Sequence, residues 1–173
     1  GGGNADQITL GTGADRVYYT GTGKAAIATE TGATAATDND HVAGTTGDTI
    51  TGFVSGTDKI YFPTALLSNG TASQTLKSIA NNGTIANNDV FVEITTALAN
   101  GQMGTAITAM NSTTSSDVAQ TEKIVVFVKD ASDGYLYLVE QASTANTIAA
   151  GDTTLIAKLV GVTDIADGDL VFA

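Results

Sequence analysis

Cysteine is absent from the chain, which excludes both a disulfide framework and a thiolate zinc site. Proline occurs once, at Pro63, and histidine once, at His41. No run reaches the roughly 18 apolar residues of a membrane-spanning helix, and no positively charged, apolar leader stands at the N-terminus. The chain starts at Gly1 without methionine, and the expectation is a fragment of a longer protein. Charge is scarce at 14 %, well below the usual quarter of a soluble domain. Basic residues are scarcer still: 7 Lys and Arg stand against 18 Asp and Glu, a net charge of −11. Such a surface repels nucleic acid and anionic membranes and attracts cations. Among cations, calcium suits carboxylate oxygens best.

The chain does have a sizeable apolar fraction, 42 % of 173 residues, and 20 glycines. Thr, Ser, Asn and Gly must supply much of the polar surface, a composition suited to strands and turns. The spacing at the N-terminus is periodic. Gly1-Gly2-Gly3-Asn4-Ala5-Asp6-Gln7-Ile8-Thr9 is followed by Leu10-Gly11-Thr12-Gly13-Ala14-Asp15-Arg16-Val17-Tyr18, so Asp6 and Asp15, like Ile8 and Val17, are nine apart. This is the Gly-rich nonapeptide pattern of a calcium-binding parallel β-helix. Glycine permits the tight corner, aspartate and loop carbonyls hold the ion, and the apolar residue points into a narrow core. Asn4 and Leu10 depart from glycine, and a third unit, Gly21-Thr22-Gly23-Lys24-Ala25-Ala26-Ile27, carries Ala25 in place of aspartate. That unit is expected to be a structural turn.

Further along, Asp48-Thr49-Ile50-Thr51 and Asp58-Lys59-Ile60-Tyr61-Phe62 read as two short strands around a Gly turn, and Pro63 closes this part. One or two helical turns are expected between Leu66 and Ile79, a strand over Asp89–Ile94, and a short helix over Met103–Met110. Lys123–Lys129 and Tyr135–Glu140 are strands joined by a hairpin loop at Asp130–Gly134. Their continuous apolar runs predict burial on both faces. Thr154–Val162 and Asp169–Ala173 complete the strands.

Chemistry is sparse. A lone His41 beside Asp38 and Asp40, with neither a Gly-x-Ser-x-Gly motif nor a His-Glu-x-x-His motif, offers no nucleophile with its base and no zinc protease site. Asp38-Asn39-Asp40 has the alternating oxygens of a calcium loop but not the Gly and distal Glu of an EF-hand. Tyr18, Tyr19, Tyr61, Tyr135 and Tyr137 offer either a sugar-stacking face or packing, and packing is preferred.

Asp48-x-Ile50-x-x-Phe53-x-x-Gly56-x-Asp58-Lys59-Ile60 resembles the segment that closes the calcium β-roll of RTX exoproteins. Lys158-Leu159-Val160-Gly161-Val162-Thr163-Asp164, with Asp169-Leu170-Val171-Phe172-Ala173, resembles their C-terminal ending. The stretch from Gly134 through Val139 to Ile156–Val162 is especially similar to the ends of Gram-negative surface-layer proteins. The resemblance covers 1–18, 47–62 and 134–173. It implies a mainly all-β chain: a short right-handed parallel calcium β-roll over 1–62, then a β-rich C-terminal cap or sandwich over 63–173 with one or two short helices. It implies metal ligation by Asp6 and Asp15 with carbonyls of Gly1, Gly3, Gly11 and Gly13. Asp48 and Asp58 would be ligands or turn caps, and Asp38 and Asp40 are further candidates. The function it implies is non-enzymatic: a calcium-binding, type I-secreted module of a surface-layer protein that folds outside the cell and self-associates. The export or calcium-folding module of an RTX protease or lipase, and a carbohydrate-binding adhesin module, are the alternatives.

Overall fold

The computed structural model describes residues 3–32, 47–66, 73–80, 89–98, 123–140 and 150–173. It is strand-rich, with one α-helix. The strands are β1 (Gln7–Thr9), β2 (Arg16–Tyr18), β3 (Asp48–Thr51), β4 (Lys59–Phe62), β5 (Ser73–Ile79), β6 (Asp89–Ile94), β7 (Lys123–Lys129), β8 (Gly134–Glu140), β9 (Thr153–Val160) and β10 (Leu170–Phe172). They form a seven-stranded sheet in the order β1-β3-β9-β8-β7-β6-β5 and a three-stranded sheet in the order β10-β4-β2.

Three pairs of consecutive strands each place one strand in each sheet: β1 with β2, β3 with β4, and β9 with β10. Within each sheet these strands run parallel and in register. Ile8, Ile50 and Leu159 stand side by side in the larger sheet. Val17, Ile60 and Leu170 do the same in the smaller one. The period-2 alternation of a strand sends these residues inward together, and one core cluster contains them along with Phe62, Phe91 and Phe172. Burial grows along the stack: Ile8 is half-buried at the outer pair, while Ile50 and Leu159 are fully buried. Because β9 and β10 pair with β3 and β4, both sheets cross the sequence position of Pro63.

The remaining strands extend the larger sheet. The β7–β8 hairpin is antiparallel and β8 pairs antiparallel with β9, whereas β5, β6 and β7 run parallel. The apolar runs of β7 and β8 are buried on both faces, as their composition requires: Val125 and Phe127 face the first core cluster, Val126 and Val128 a second. Tyr135 and Tyr137 belong to that second cluster.

Two local expectations are corrected. Residues 21–27 do not form a third Gly-rich corner. Helix α1 (Lys24–Thr31) begins there, because Lys24 and Ala25, Ala26 and Ala28 are strong helix formers and no aspartate stands at 25 to brace a turn. Its first turn is capped from outside: the Lys24 N–H donates to Glu140 Oε2 at 2.6 Å, and Lys24 Nζ donates to the Gly151 carbonyl. Gly32, at φ +64°, ends it in the left-handed conformation. In the stretch from Leu66 to Ile79, a 3₁₀ turn at Thr64–Leu66 stands at the start, Ser73–Ile79 form strand β5 and not helix, and 67–72 lie outside the described residues. Pairing with β6 outweighs the weak local preference of Ser73–Ile79. The helix expected over Met103–Met110 lies outside the described residues. Among the described residues no helix is long and apolar enough to cross a membrane.

Candidate functional site

The aspartates singled out by the repeat sit where strands begin. Asp6 precedes β1 and Asp48 opens β3, so both belong to the larger sheet; Asp15 precedes β2 and Asp58 precedes β4, in the smaller one. The structure brings them together in pairs along the stack. The Asp6 N–H donates to Asp48 Oδ1 at 2.9 Å, and the Asp15 N–H donates to Asp58 Oδ1 at 2.8 Å. Gly3 leads into β1. Gly11 and Gly13 form the corner between β1 and β2, with Gly13 at φ +112°. Asn4, standing in place of a repeat glycine, also has positive φ, +124°. Gly1, Asp38 and Asp40 lie outside the described residues, as does His41.

The second oxygens are engaged as well. Asp58 Oδ2 accepts from the Val54 N–H at 2.8 Å, across its own turn. Asp15 Oδ2 accepts from Gly11 N–H at 3.0 Å over the same four-residue span. Asp48 Oδ2 accepts from Tyr19 Oη at 3.0 Å. Burial raises the Asp48 pKa and the Asp6 charge adds to that, while the Asp6 N–H and the Tyr19 hydroxyl oppose it. Tyr19 is pushed well above its ordinary value, first by burial and then by the Asp48 carboxylate.

Asp169 was missed by the repeat reading and is the most heavily engaged carboxylate of the set. Fully buried, it accepts from Gly56 N–H (2.9 Å to Oδ1), from Ser55 Oγ and Ala166 N–H (2.8 Å each to Oδ2), and it lies 3.4 Å from Lys59 Nζ. The signal for it is a glycine of positive φ just before an aspartate and an apolar strand. Gly168-Asp169-Leu170 shares this with Gly56-Thr57-Asp58 and Gly13-Ala14-Asp15.

Comparison with family models, with curated proteins and with solved structures finds no match. The chemistry of the site therefore rests on its own donors and acceptors. Calcium takes six to eight oxygen ligands. Among the described residues, no three acidic or histidine side chains converge on one point. Donor hydrogens point at both oxygens of Asp48, Asp58 and Asp169. Asp58 and Asp169 each cap their own turn, one of the two roles expected for Asp58, and Asp48 ties β3 to the residue before β1. None of the five tyrosines joins a stacking face with Tyr135 or Tyr137, which are buried; Tyr18 alone is widely exposed, its ring stacked on Tyr61 at 4.7 Å.

The β7–β8 hairpin in the middle of the larger sheet is built on the same device. Asp130 Oδ1 accepts from the N–H groups of Ser132 and Asp133 at 2.8 Å each, and its Oδ2 from Tyr135 Oη at 2.8 Å. Asp133 accepts from Gly161 N–H at 2.8 Å and pairs with Lys158 Nζ at 2.9 Å. Burial alone would raise both pKa values, but the donors outweigh it and both are lowered from 3.8. A lowered acid contributes stability that is complete above its unfolded value and lost as pH falls through the folded one. Acidification below about pH 4 is expected to lower the melting temperature. Asp130→Asn and Asp133→Asn should each reduce the stability lost over that acidification by up to about 1 kcal/mol, the scale of partly exposed charged groups. Thermal melts from pH 6 down to about pH 2 check this; an unchanged slope in both variants counts against it.

Proposed function

We propose that this chain is a non-enzymatic structural module of a secreted bacterial surface-layer protein, wound in part as a right-handed β-roll and carrying a type I export signal at its C-terminal end. The observation that carries the reading is the in-register parallel stacking of three strand pairs, each contributing to both sheets. Winding of this kind makes a rigid, extendable body. The resemblance of 134–173 to the ends of exported surface-layer proteins supports the export part.

Calcium keeps a place in this proposal as counter-ion of the acidic surface. Copies carrying −11 each repel one another, and a divalent cation between them offsets that repulsion. The test has two arms. Co-expressed with a type I exporter in a Gram-negative host, the full chain is expected in the medium, while a chain lacking 161–173 is retained. Electron microscopy of the exported chain is expected to show ordered sheets at about millimolar calcium and dispersed particles after chelation. Equal export of both chains overturns the export signal, and dispersed particles at every calcium concentration overturn the surface-layer role.

A further inference from the structure

The nonapeptide spacing places aspartates where calcium is expected to bridge successive corners. We infer that in this chain Asp48, Asp58 and Asp169 replace the ion: each carboxylate fastens one strand pair to the preceding one by direct hydrogen bonds, and the stack winds without calcium. This inference rests on the hydrogen bonds alone and is independent of the surface-layer reading.

The same geometric rule recurs at each step. Asp58 spends one oxygen on its own turn, from Val54 N–H, and the other on the preceding pair, from Asp15 N–H. Asp169 repeats the rule one step on. Oδ2 takes the N–H of Ala166 in its own turn, and Oδ1 takes the N–H of Gly56 in the preceding one, with Ser55 Oγ added. Asp48 reaches back to Asp6 N–H in the larger sheet and holds Tyr19 Oη with its other oxygen. Asp15, in the outermost pair, makes the own-turn bond from Gly11 N–H. Gly56 donates from φ +79°, a conformation that turns its N–H toward the following corner and that a side chain would strain.

The electrostatics agree. Asp58 and Asp169 are fully buried, and a buried carboxylate persists only with donors on its oxygens. Here backbone N–H groups, the Ser55 hydroxyl and the Lys59 ammonium provide them. In a metal-bridged corner the lone pairs of successive aspartates would instead face a common cation, and folding would be coupled to its binding. Charge-assisted bonds of this sort are about twice as strong as neutral ones. They are built into the polypeptide and do not depend on the medium.

The experiment uses the full chain at a dilution where it stays monomeric, so that calcium held between copies does not contribute. After stripping with a chelator it is melted alone and with about 10 mM calcium. The two midpoints are expected to agree within about 2 °C. Asp58→Asn, which replaces one acceptor oxygen by an amide, is expected to lower the midpoint by roughly 5–10 °C in both media alike. A calcium-dependent rise of more than about 5 °C in the unmodified chain overturns the inference. Amide hydrogen exchange provides a readout that does not need the variant to fold. The Asp15, Val54 and Gly56 amides of the unmodified chain should be equally protected with and without chelator, and protection that appears only with calcium overturns the inference.

Discussion

Gly134→Ala is expected to unfold the chain or to destabilise it by more than about 3 kcal/mol, because the new methyl has no space to enter. A Cβ at 134 would stand 2.3 Å from Phe127 Cε2, 2.5 Å from Phe127 Cζ and 2.7 Å from the Val162 carbonyl oxygen. None of these yields cheaply. Phe127 is fully buried in the core between the sheets, and the Val162 carbonyl is backbone. Gly134 also pairs with both Lys129 and Leu159, so a shift would break two ladders. Gly151→Ala is the matched control: nothing lies within 4 Å of its Cβ, and it should be close to neutral. Urea unfolding of the two variants side by side checks the difference; equal midpoints would refute the steric argument.

Phe62→Ala should cost about 3–5 kcal/mol, the range for deleting a buried ring and leaving a cavity. Phe62 is 1 % exposed and its ring centroid lies 5.8 Å from Tyr19, 6.2 Å from Phe91 and 6.1 Å from Phe172. These rings come from β6, β10 and the end of β2, so one deletion loosens strands of both sheets. Against a total stability of roughly 5–15 kcal/mol, that is a large fraction. Tyr18→Ala, by contrast, removes a ring that is 56 % exposed and stacks on Tyr61. It should cost about 1 kcal/mol or less. Chemical denaturation followed by far-ultraviolet circular dichroism measures both. A cost for Phe62→Ala no greater than that for Tyr18→Ala would show that the ring ladder does not hold the sheets together.

Much of the fold is written locally. The runs Lys123–Lys129 and Tyr135–Val139 are apolar on both faces because both faces are covered, and the strands follow directly. Asp48-Thr49-Ile50 and Asp58-Lys59-Ile60 announce strand starts because the same aspartate that ends the turn braces the next strand. Other features are not local. The pairing of β9 with β3 joins residues more than a hundred apart in sequence, and no spacing rule encodes it. Helix α1 follows a Gly-x-Gly spacing identical to that of a corner; its fate is decided by Ala25 and by a cap from Glu140, far along the chain. The aspartates were legible as important positions, Asp48 and Asp58 as either ligands or turn caps. A carboxylate at a glycine corner serves either purpose, and the choice depends on whether N–H groups of the neighbouring pair reach its oxygens. Asp169 escaped notice because its partners, Ser55 and Gly56, lie more than a hundred residues upstream.

The position of β9 sets an order on folding. The two halves of the larger sheet have no direct pairing with each other: β3 and β8 meet only through β9 (Thr153–Val160). Until that segment emerges, the outer strands lack the neighbour that completes their hydrogen bonds, and such long-range closure is slow. The larger sheet stays divided until β9 is in place, and that one strand acts as the keystone between its two halves.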